Sequence, residues 1–227
     1  MGFFDFFKKK SAALTKDQEY ILEMITTKVN MGFDPPEAIK QMAKDILADE
    51  HLEDSVTEAW INAVVDQKVT LQLQESKSWD SPTDPDKLAL AFNDLSRSKI
   101  IALHLAGYTN SEGERDIIEI EQNLRTKGIK SDGYCFYHEQ DLQRAVDPQQ
   151  RNLMIAFQKV DNSDDYVTIA IGLIVSDKLR KYGFKVNWNE SVSQKIEIED
   201  INWQKVYQPE AGEFSHQRVI KLMTRSY

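Results

Sequence analysis

The chain has 227 residues, of which 41% are hydrophobic and 29% charged, and these proportions are typical of a folded globular protein. Its formal net charge of −9 argues against a non-specific nucleic-acid-binding protein, because neutralising phosphates requires a basic surface. The one cysteine, Cys135, excludes an intrachain disulfide and a thiolate zinc cluster. It lies in an apolar run, which predicts an inert buried thiol and a reducing, cytoplasmic location.

Residues 1–14 form a separate N-terminal segment that opens with MGFFDFFKKK. Its phenylalanines and lysines could make a weak peripheral contact with an anionic membrane through Phe3, Phe4, Phe6 and Phe7. We favour packing of these rings on the body of the protein or on a partner, with the lysines marking a linker. No run of the sequence approaches the length of a membrane span, so we expect no stable membrane insertion.

Residues 15–98 carry four segments with apolar residues at helical spacing, and they predict an all-helical subdomain. The predicted helices lie between Thr15 and Gly32, from Pro35 through Leu47, from Ser55 to about Gln74, and over Lys87–Arg97. The stretch Ser78–Asp86 is rich in turn-forming residues and predicts a linker before the fourth helix.

Residues 99–227 alternate between strand-like and helix-like segments, which predicts an α/β subdomain with a mixed, partly parallel sheet. The predicted strands are Lys99–Tyr108, Tyr134–His138, Asn152–Val160, Phe184–Asn189 and Lys195–Asp200, and the helices are Glu114–Lys127, Glu139–Val146, Asp164–Tyr182 and His216–Met223. A helical N-terminal subdomain followed by this part gives the fold class α+β.

Two stretches of the second half, Ile100–Asp116 and Gly133–Val146, each read as an apolar strand that ends at a histidine and leads into a helix. If the two strands are parallel neighbours, both histidines lie near one edge of the sheet, where α/β folds commonly bind ligands. The predicted binding cleft contains His104, Tyr108, Thr109, Tyr137, His138, Gln140 and Asp141.

The candidate catalytic residues of this cleft are His104, His138 and Asp141, because a histidine beside a carboxylate can act as a general base. The same histidines with Asp141 or Asp116 could also supply a set of metal ligands. No HxH or HExxH spacing is present, so we expect no metal. The alternative is that each imidazole is a structural group bonded to its neighbours.

Thr109 and Ser111 are possible nucleophiles, but their position favours a helix cap that satisfies free backbone N–H groups. The strained GxSxG turn of serine hydrolases is absent from the sequence. No Walker or dinucleotide glycine pattern occurs either, so we expect no cofactor.

Three runs, IIALHLAGYTNSEG (100–113), GYCFYHEQDLQRAV (133–146) and LRKYGFKVNWN (179–189) followed by IEIEDINWQK (196–205), resemble a family of uncharacterised bacterial proteins known only as a domain of unknown function. In that family a His–x–Ala–Gly–Tyr–Thr run precedes a Tyr–His–x–Gln–Asp run, and these correspond here to His104–Thr109 and Tyr137–Asp141. The resemblance implies a helical part before an α/β part and a single site formed by the two motifs. It implies no reaction.

We therefore favour a non-enzymatic protein-binding module, immunity- or inhibitor-like, whose acidic surface faces a basic protein rather than nucleic acid. The alternative is a small hydrolase or metal-assisted enzyme that uses the cleft around His104, His138 and Asp141. The geometry of these three side chains separates the two hypotheses. Convergence in an open cleft favours the enzyme, and burial with satisfied hydrogen bonds favours the binding protein.

Overall fold

The structure is a computed structural model that describes residues 13–161, 164–209 and 212–225. The segment MGFFDFFKKK, and with it the membrane or packing contacts predicted for its phenylalanines, lies outside the described residues. Helices in chain order are α1 (Lys16–Met31), α2 (Pro36–Asp49), α3 (Glu58–Glu75), α4 (Asp84–Arg97), α5 (Asn110–Thr126), α6 (Glu139–Val146), α7 (Asp165–Lys181) and α8 (His216–Thr224). Strands are β1 (Ile100–Leu103), β2 (Gly133–Phe136), β3 (Leu153–Gln158), β4 (Lys185–Asn187) and β5 (Ile196–Glu199).

The chain divides into two compact units. The helical unit comprises residues 13–78 and Val206–Gln208, and it contains α1, α2 and α3. The sheet unit comprises residues 79–205 and the described residues from Pro209 onward. It therefore includes α4, which packs on β1.

The helical unit is held together by apolar side chains that its three helices turn inward. On α1 these are Ile21, Ile25 and Val29, whose spacing keeps them on one side of the helix. A reciprocal capping box between Thr15 and Gln18 satisfies backbone N–H groups at the start of α1. The unit's core is completed by buried residues of α2, α3 and the connection between them, namely Ile39, Ala43, Leu47, Val56, Ile61, Val64 and Val65.

The sheet unit contains one five-stranded sheet with the order β1-β2-β3-β5-β4. The pair β1–β2 is parallel, whereas β2–β3, β3–β5 and β5–β4 are antiparallel. The prediction of an α+β fold with a mixed, partly parallel sheet is confirmed. The register pairs Leu103 with Phe136, which places the residues after the two strands beside each other.

Helices cover both faces of the β1–β2 half of the sheet. On one face, Ile101 and Leu103 share a core cluster with buried residues of α5 and α8. Successive strand residues point to opposite faces, so Ile100 and its partner on β2, Gly133, belong to the other face. There Ile171 of α7 packs directly against Gly133. The helix α4 packs on β1, α7 and α8.

The helix α5 approaches β2 very closely at Gly113. A Cβ atom at this position would lie 2.3 Å from Cε2 of Phe136 and 2.9 Å from the carbonyl oxygen of Ala106. Only glycine fits this contact without displacing its neighbours. The first turn of α5 is thereby held against the strand that leads to the second motif.

Among the described residues, no helix combines the length and the apolar character that crossing a membrane requires.

Candidate functional site

The strand β1 ends at Leu103, one residue before the first motif histidine. The ring of His104 stacks on Phe92 of α4 at 4.5 Å between centroids and meets the ring of Phe214 edge-on at 4.7 Å. Its Nδ1 atom lies 3.1 Å from the hydroxyl oxygen of Tyr137. The imidazole is only 5% exposed and is therefore enclosed by aromatic rings.

Burial determines the charge state of His104. Removal from water penalises the charged imidazolium and lowers the pKa of His104 to about 3, and the nearby basic residues His216 and Lys205 add to this effect. The imidazole is therefore neutral at physiological pH. A neutral ring bonded to the Tyr137 hydroxyl in an aromatic enclosure behaves as a structural group.

Lys205 is a second titratable residue of this enclosure, and it is 9% exposed. Its Nζ atom lies 4.8 Å from the centroid of the Phe214 ring, which is cation–π distance. Burial lowers the pKa of Lys205 to about 8, although the Asp86 carboxylate opposes that shift. Burial in the enclosure therefore lowers the pKa of Lys205 as well as that of His104.

The second motif histidine begins α6 as its N-cap residue. The Nδ1 atom of His138 accepts a hydrogen bond from the backbone N–H of Asp141 at 3.2 Å. In return, the Asp141 carboxylate accepts one from the backbone N–H of His138 at 3.3 Å. This is a capping box in which an imidazole nitrogen replaces the usual hydroxyl or carboxylate oxygen.

Asp141 is completely buried and carries the main ion pair of the site. Lys195, the residue before β5, contacts both of its carboxylate oxygens, at 3.1 Å and 2.8 Å. Arg144, one turn along α6, lies 3.5 Å from Oδ1. A buried carboxylate requires such partners, because an unpaired charge away from water is strongly unfavourable.

The capping hydrogen bond assigns the tautomer of neutral His138. Because Nδ1 accepts from the Asp141 N–H group, the proton of the neutral ring resides on Nε2, which lies 3.1 Å from Asp141 Oδ2. In this tautomer the Lys195 ammonium, whose Nζ lies 3.0 Å from Nε2, donates to the Asp141 carboxylate and not to the ring. Desolvation is the largest cause that lowers the pKa of His138, so the ring is held neutral with both nitrogens engaged.

Backbone hydrogen bonds join the two motifs beyond the ends of the strands. The N–H of Ala106 donates to the carbonyl of Tyr137 at 2.9 Å, and the N–H of Glu139 donates to the carbonyl of Gly107 at 3.1 Å. The two loops therefore close against each other at the position where the sequence predicts a cleft.

The start of α5 is stabilised by an acidic residue of its first turn. The Glu112 carboxylate accepts from the backbone N–H groups of Tyr108 and Thr109, at 2.7 Å and 2.9 Å. These bonds lower the pKa of Glu112. The Thr109 hydroxyl points to the same carboxylate, at 3.4 Å, and belongs to this cap.

The structure separates the predicted cleft residues into two buried groups. His104 contacts Tyr137, and His138 contacts Asp141, while no hydrogen bond within the described part of the chain links the two histidines. Tyr108 and Gln140 lie at the surface. Among the described residues, no three His, Cys, Asp or Glu side chains are grouped so that they could hold a metal ion, and neither Asp141 nor Asp116 joins both histidines.

Several contacts of these groups come from residues that the sequence analysis did not select. Lys195 reaches Asp141 from 54 positions along the chain, and His216 Nε2 lies 3.4 Å from the carbonyl of His104. A lysine just before a buried alternating strand is a weak sequence signal of a buried ion pair. Neither Phe92 nor Phe214 carries a local signal for its contact with His104.

The outer side of α5 bears a groove of about 310 Å³ between that helix and the end of β3. Its lining combines apolar side chains with charged ones: Glu114, Ile117, Ile118, Glu121, Gln122, Arg125, Tyr134, Gln158, Lys159, Val160 and Asp161. A second depression lies beside it along the same helix and is lined by Arg115, Asp116, Ile118, Glu119 and Gln122.

The acidic groups of the groove and of the depression beside it differ in their pairing. Buried Glu121 is bonded to Arg125 at 2.8 Å and accepts from the N–H of Ser131 at 3.2 Å. Exposed Glu119 has no ion-pair partner among the residues that the structure describes. Glu114 contacts only the amide of Asn110, at 2.9 Å, in the same part of the chain. The outer face of α5 therefore carries unneutralised carboxylates, Glu114 in the groove and Glu119 in the second depression, beside the exposed side chain of Ile118.

A comparison with protein families finds one described as a domain of unknown function, DUF6891, whose model matches residues 15–207. No curated protein and no solved structure matches the chain. The matched range contains both histidine motifs, the helices α1 to α7 and all five strands, and it ends before α8. The resemblance to an uncharacterised domain family is thus confirmed, and the chain belongs to the DUF6891 family.

Proposed function

We propose that this chain is a non-enzymatic protein-binding module of the bacterial cytoplasm, immunity- or inhibitor-like, whose acidic surface receives a basic partner. The observation that carries the proposal is the burial of His104, His138 and Asp141. Each of the three residues is at most 5% exposed, and each of their side chains is bonded within the protein. A general base must instead have a nitrogen or oxygen within reach of a substrate proton.

The hydrogen bonds of His138 weigh against the enzymatic alternative in particular. Its Nδ1 atom accepts the Asp141 N–H, so protonation there would place two donors against each other. Turnover that depends on His138 would require α6 to give up its cap during each cycle. The binding module requires no such change.

The outer face of α5 is the surface that we assign to the partner. Ile118, 47% exposed, lies between the two depressions, with Glu114 and Glu119 beside it. An exposed apolar side chain next to unpaired carboxylates is complementary to a basic segment that also carries an apolar residue. The excess of acidic over basic residues, 37 against 28, favours the same class of partner.

The cytoplasmic location rests on Cys135. The thiol is unpaired and buried, and burial raises its pKa above the usual range. An inert, reduced thiol without a disulfide is the usual cysteine of a reducing compartment.

The experiment that tests the proposal is affinity capture from the host with the native chain and with two charge-reversed variants. Glu114→Lys with Glu119→Lys alters the α5 face, and Asp49→Lys with Glu53→Lys makes the same change in net charge at exposed positions of the helical unit. We expect a stoichiometric basic protein with the native chain and with the second variant, but not with the first. The purified pair must then bind with an affinity that falls as salt rises.

Two results would overturn the proposal. One is a captured protein that both charge-reversed variants retain equally. The other is turnover or stoichiometric metal in the purified chain that disappears in His104→Ala with His138→Ala while the fold remains intact.

A further inference from the structure

The end of β1 is covered by the segment Gly212–Thr224, which we call the latch. It consists of a short 3-10 turn that ends at Phe214, followed by α8. Through α8 the latch buries Val219 and Met223 in the core cluster that contains the apolar side chains of β1. Through its turn it sets the Phe214 ring edge-on against His104. The latch therefore covers both the apolar face of β1 and the histidine that follows this strand.

The ring of Phe214 lies against two buried basic side chains. Its centroid is 4.7 Å from the centroid of the His104 ring and 4.8 Å from Nζ of Lys205. These two residues are 5% and 9% exposed, whereas Phe214 is only partly buried. Phe214 thus forms an outer wall of the aromatic enclosure, and its departure opens a path for water to the His104 ring.

The latch also brings basic side chains to this enclosure. His216 Nε2 lies 3.4 Å from the carbonyl oxygen of His104, and Arg218 Nε lies 3.3 Å from the amide oxygen of Asn93 on α4. The proximity of basic His216 disfavours a positive charge on the His104 ring. A proton on His104 is therefore opposed by the same segment that covers it.

The other elements packed around His104 do not supply an anion for a proton on this ring. Lys205, from the segment after β5, also disfavours a charge on His104. On α4, the Asp86 carboxylate acts on Lys205, where it favours the ammonium form. The Tyr137 hydroxyl lies 3.1 Å from Nδ1, and burial raises the pKa of Tyr137, so this group stays neutral. Within the described part of the chain, the groups that act on the charge of His104 are thus basic.

We infer that the latch is an acid-sensitive switch, which opens as His104 takes up a proton and uncovers the apolar face of β1 while the rest of the sheet unit stays folded. In the open state the His104 ring is in contact with water, so its pKa returns to about 6.5 from about 3 in the closed state. Protons then bind the open state more tightly than the closed one. The closed state is therefore favoured most above pH 6.5, and the opening constant rises by roughly tenfold per pH unit as the pH falls from there toward about 3.

Opening of the latch changes which surface the protein presents. It exposes Ile101 and Leu103 of β1 together with the inner side of α5, which α8 covers in the closed state. An apolar face of this kind binds apolar ligands or apolar segments of other proteins. The switch thus keeps the face closed at neutral pH and makes it accessible in acid. It concerns the inner side of α5 and does not depend on the partner that we assign to the outer face.

Hydrogen exchange of the full chain tests the switch, measured by mass spectrometry from pH 6.5 to pH 4.5 and corrected for the intrinsic pH dependence of amide exchange. We expect the protection of the α8 amides to fall by roughly a hundredfold over these two pH units, while the amides of α5 and β2 lose much less. Protection of α8 that does not change with pH would overturn the inference. Equal losses in α8 and α5 would overturn it as well, because the sheet unit would then open as a whole.

Two variants identify the groups that operate the switch. His104→Gln should make the protection of α8 nearly independent of pH, whereas the matched control His51→Gln, at an exposed position of the helical unit, should keep the native dependence. Phe214→Leu keeps the histidine but removes part of its cover, so we expect faster exchange of α8 at every pH. A His104→Gln chain with the native pH dependence would exclude this histidine as the sensor. The comparison of α8 with α5 in the native chain stands whether or not His104→Gln folds.

Discussion

His138 and Asp141 cap the same helix reciprocally, each side chain accepting the backbone N–H of the other. A histidine in this role replaces the serine, threonine or aspartate usually found at an N-cap. The histidine and the aspartate of the Tyr–His–x–Gln–Asp motif are therefore explained by the start of α6. This relationship gives the first prediction.

Removing the imidazole should destabilise α6 through loss of its cap. We expect His138→Ala to lower the free energy of unfolding by about 1–2 kcal/mol, and His138→Asn, which keeps an acceptor, to lower it by less. Urea denaturation measures both changes. The control is Gln140→Ala at an exposed position of the same turn, expected within about 0.5 kcal/mol of the native chain. Equal losses in the alanine and asparagine variants would contradict the cap.

The pairing of Asp141 with Lys195 gives the second prediction. Lys195→Met leaves a completely buried carboxylate without its main cation, and we expect a loss of about 2 kcal/mol or more. Replacing both residues, with Asp141→Leu added, should cost less than the sum of the two single changes. A double-mutant cycle by chemical denaturation measures the coupling, and strict additivity would show that the two charges do not interact.

The burial of His104 gives the third prediction, which concerns acid stability. Its pKa is about 6.5 in an unfolded chain and about 3 in the folded one, so the unfolded state binds the proton first as the pH falls. The stability contributed by the neutral ring is present above pH 6.5 and is lost as the pH falls from there toward about 3. Within this window the slope is about 1.4 kcal/mol per pH unit for one proton.

Measuring the free energy of unfolding as a function of pH tests whether stability is lost as the pH falls through this window. His104→Gln should reduce the slope of the free energy of unfolding against pH, below pH 6.5, by the amount that corresponds to about one proton. His51→Gln, at an exposed position of the helical unit, should leave this slope unchanged. If the native chain and His104→Gln have the same slope between pH 6 and about 4, the histidine is not held neutral by the fold.

The close approach at Gly113 gives the fourth prediction. Alanine is the better helix former by about 1 kcal/mol, so an unpacked site would be stabilised by Gly113→Ala. Here the added methyl group meets the buried Phe136 ring, and we expect a net loss of about 1–3 kcal/mol. Thermal unfolding compares it with Ser111→Ala, an exposed position on the same turn. A stabilised Gly113→Ala chain would show that α5 can move away from β2.

The local chemistry of the chain predicted its elements well. The alternation of Ile196 and Ile198 with glutamates predicted β5, and the two strand-to-helix motifs predicted β1 and β2, which the structure pairs in parallel. The start of α4 was harder, because Thr83 and Asp86 look like turn residues but form a capping box. A capping box and a turn use the same residue types.

The candidate site could be predicted only in part, because its contacts are distant in sequence. The pairing of Leu103 with Phe136 follows from parallel strands, and it brings His104 to Tyr137. Lys195 reaches the site only because β5 pairs with β3, and that pairing is antiparallel and long-range. Whether a polar edge is open or filled depends on such distant side chains.

The position of α8 in the sheet unit has a consequence for biosynthesis. Val219 and Met223 of α8 close the core over Ile101 and Leu103 of β1, yet they leave the ribosome more than a hundred residues later. Although α5 packs on this strand earlier, the part of the β1 face that α8 covers stays exposed until then, where it is open to chaperones or to aggregation. A chain cut before α8 should accumulate in the insoluble fraction even though its sheet is complete.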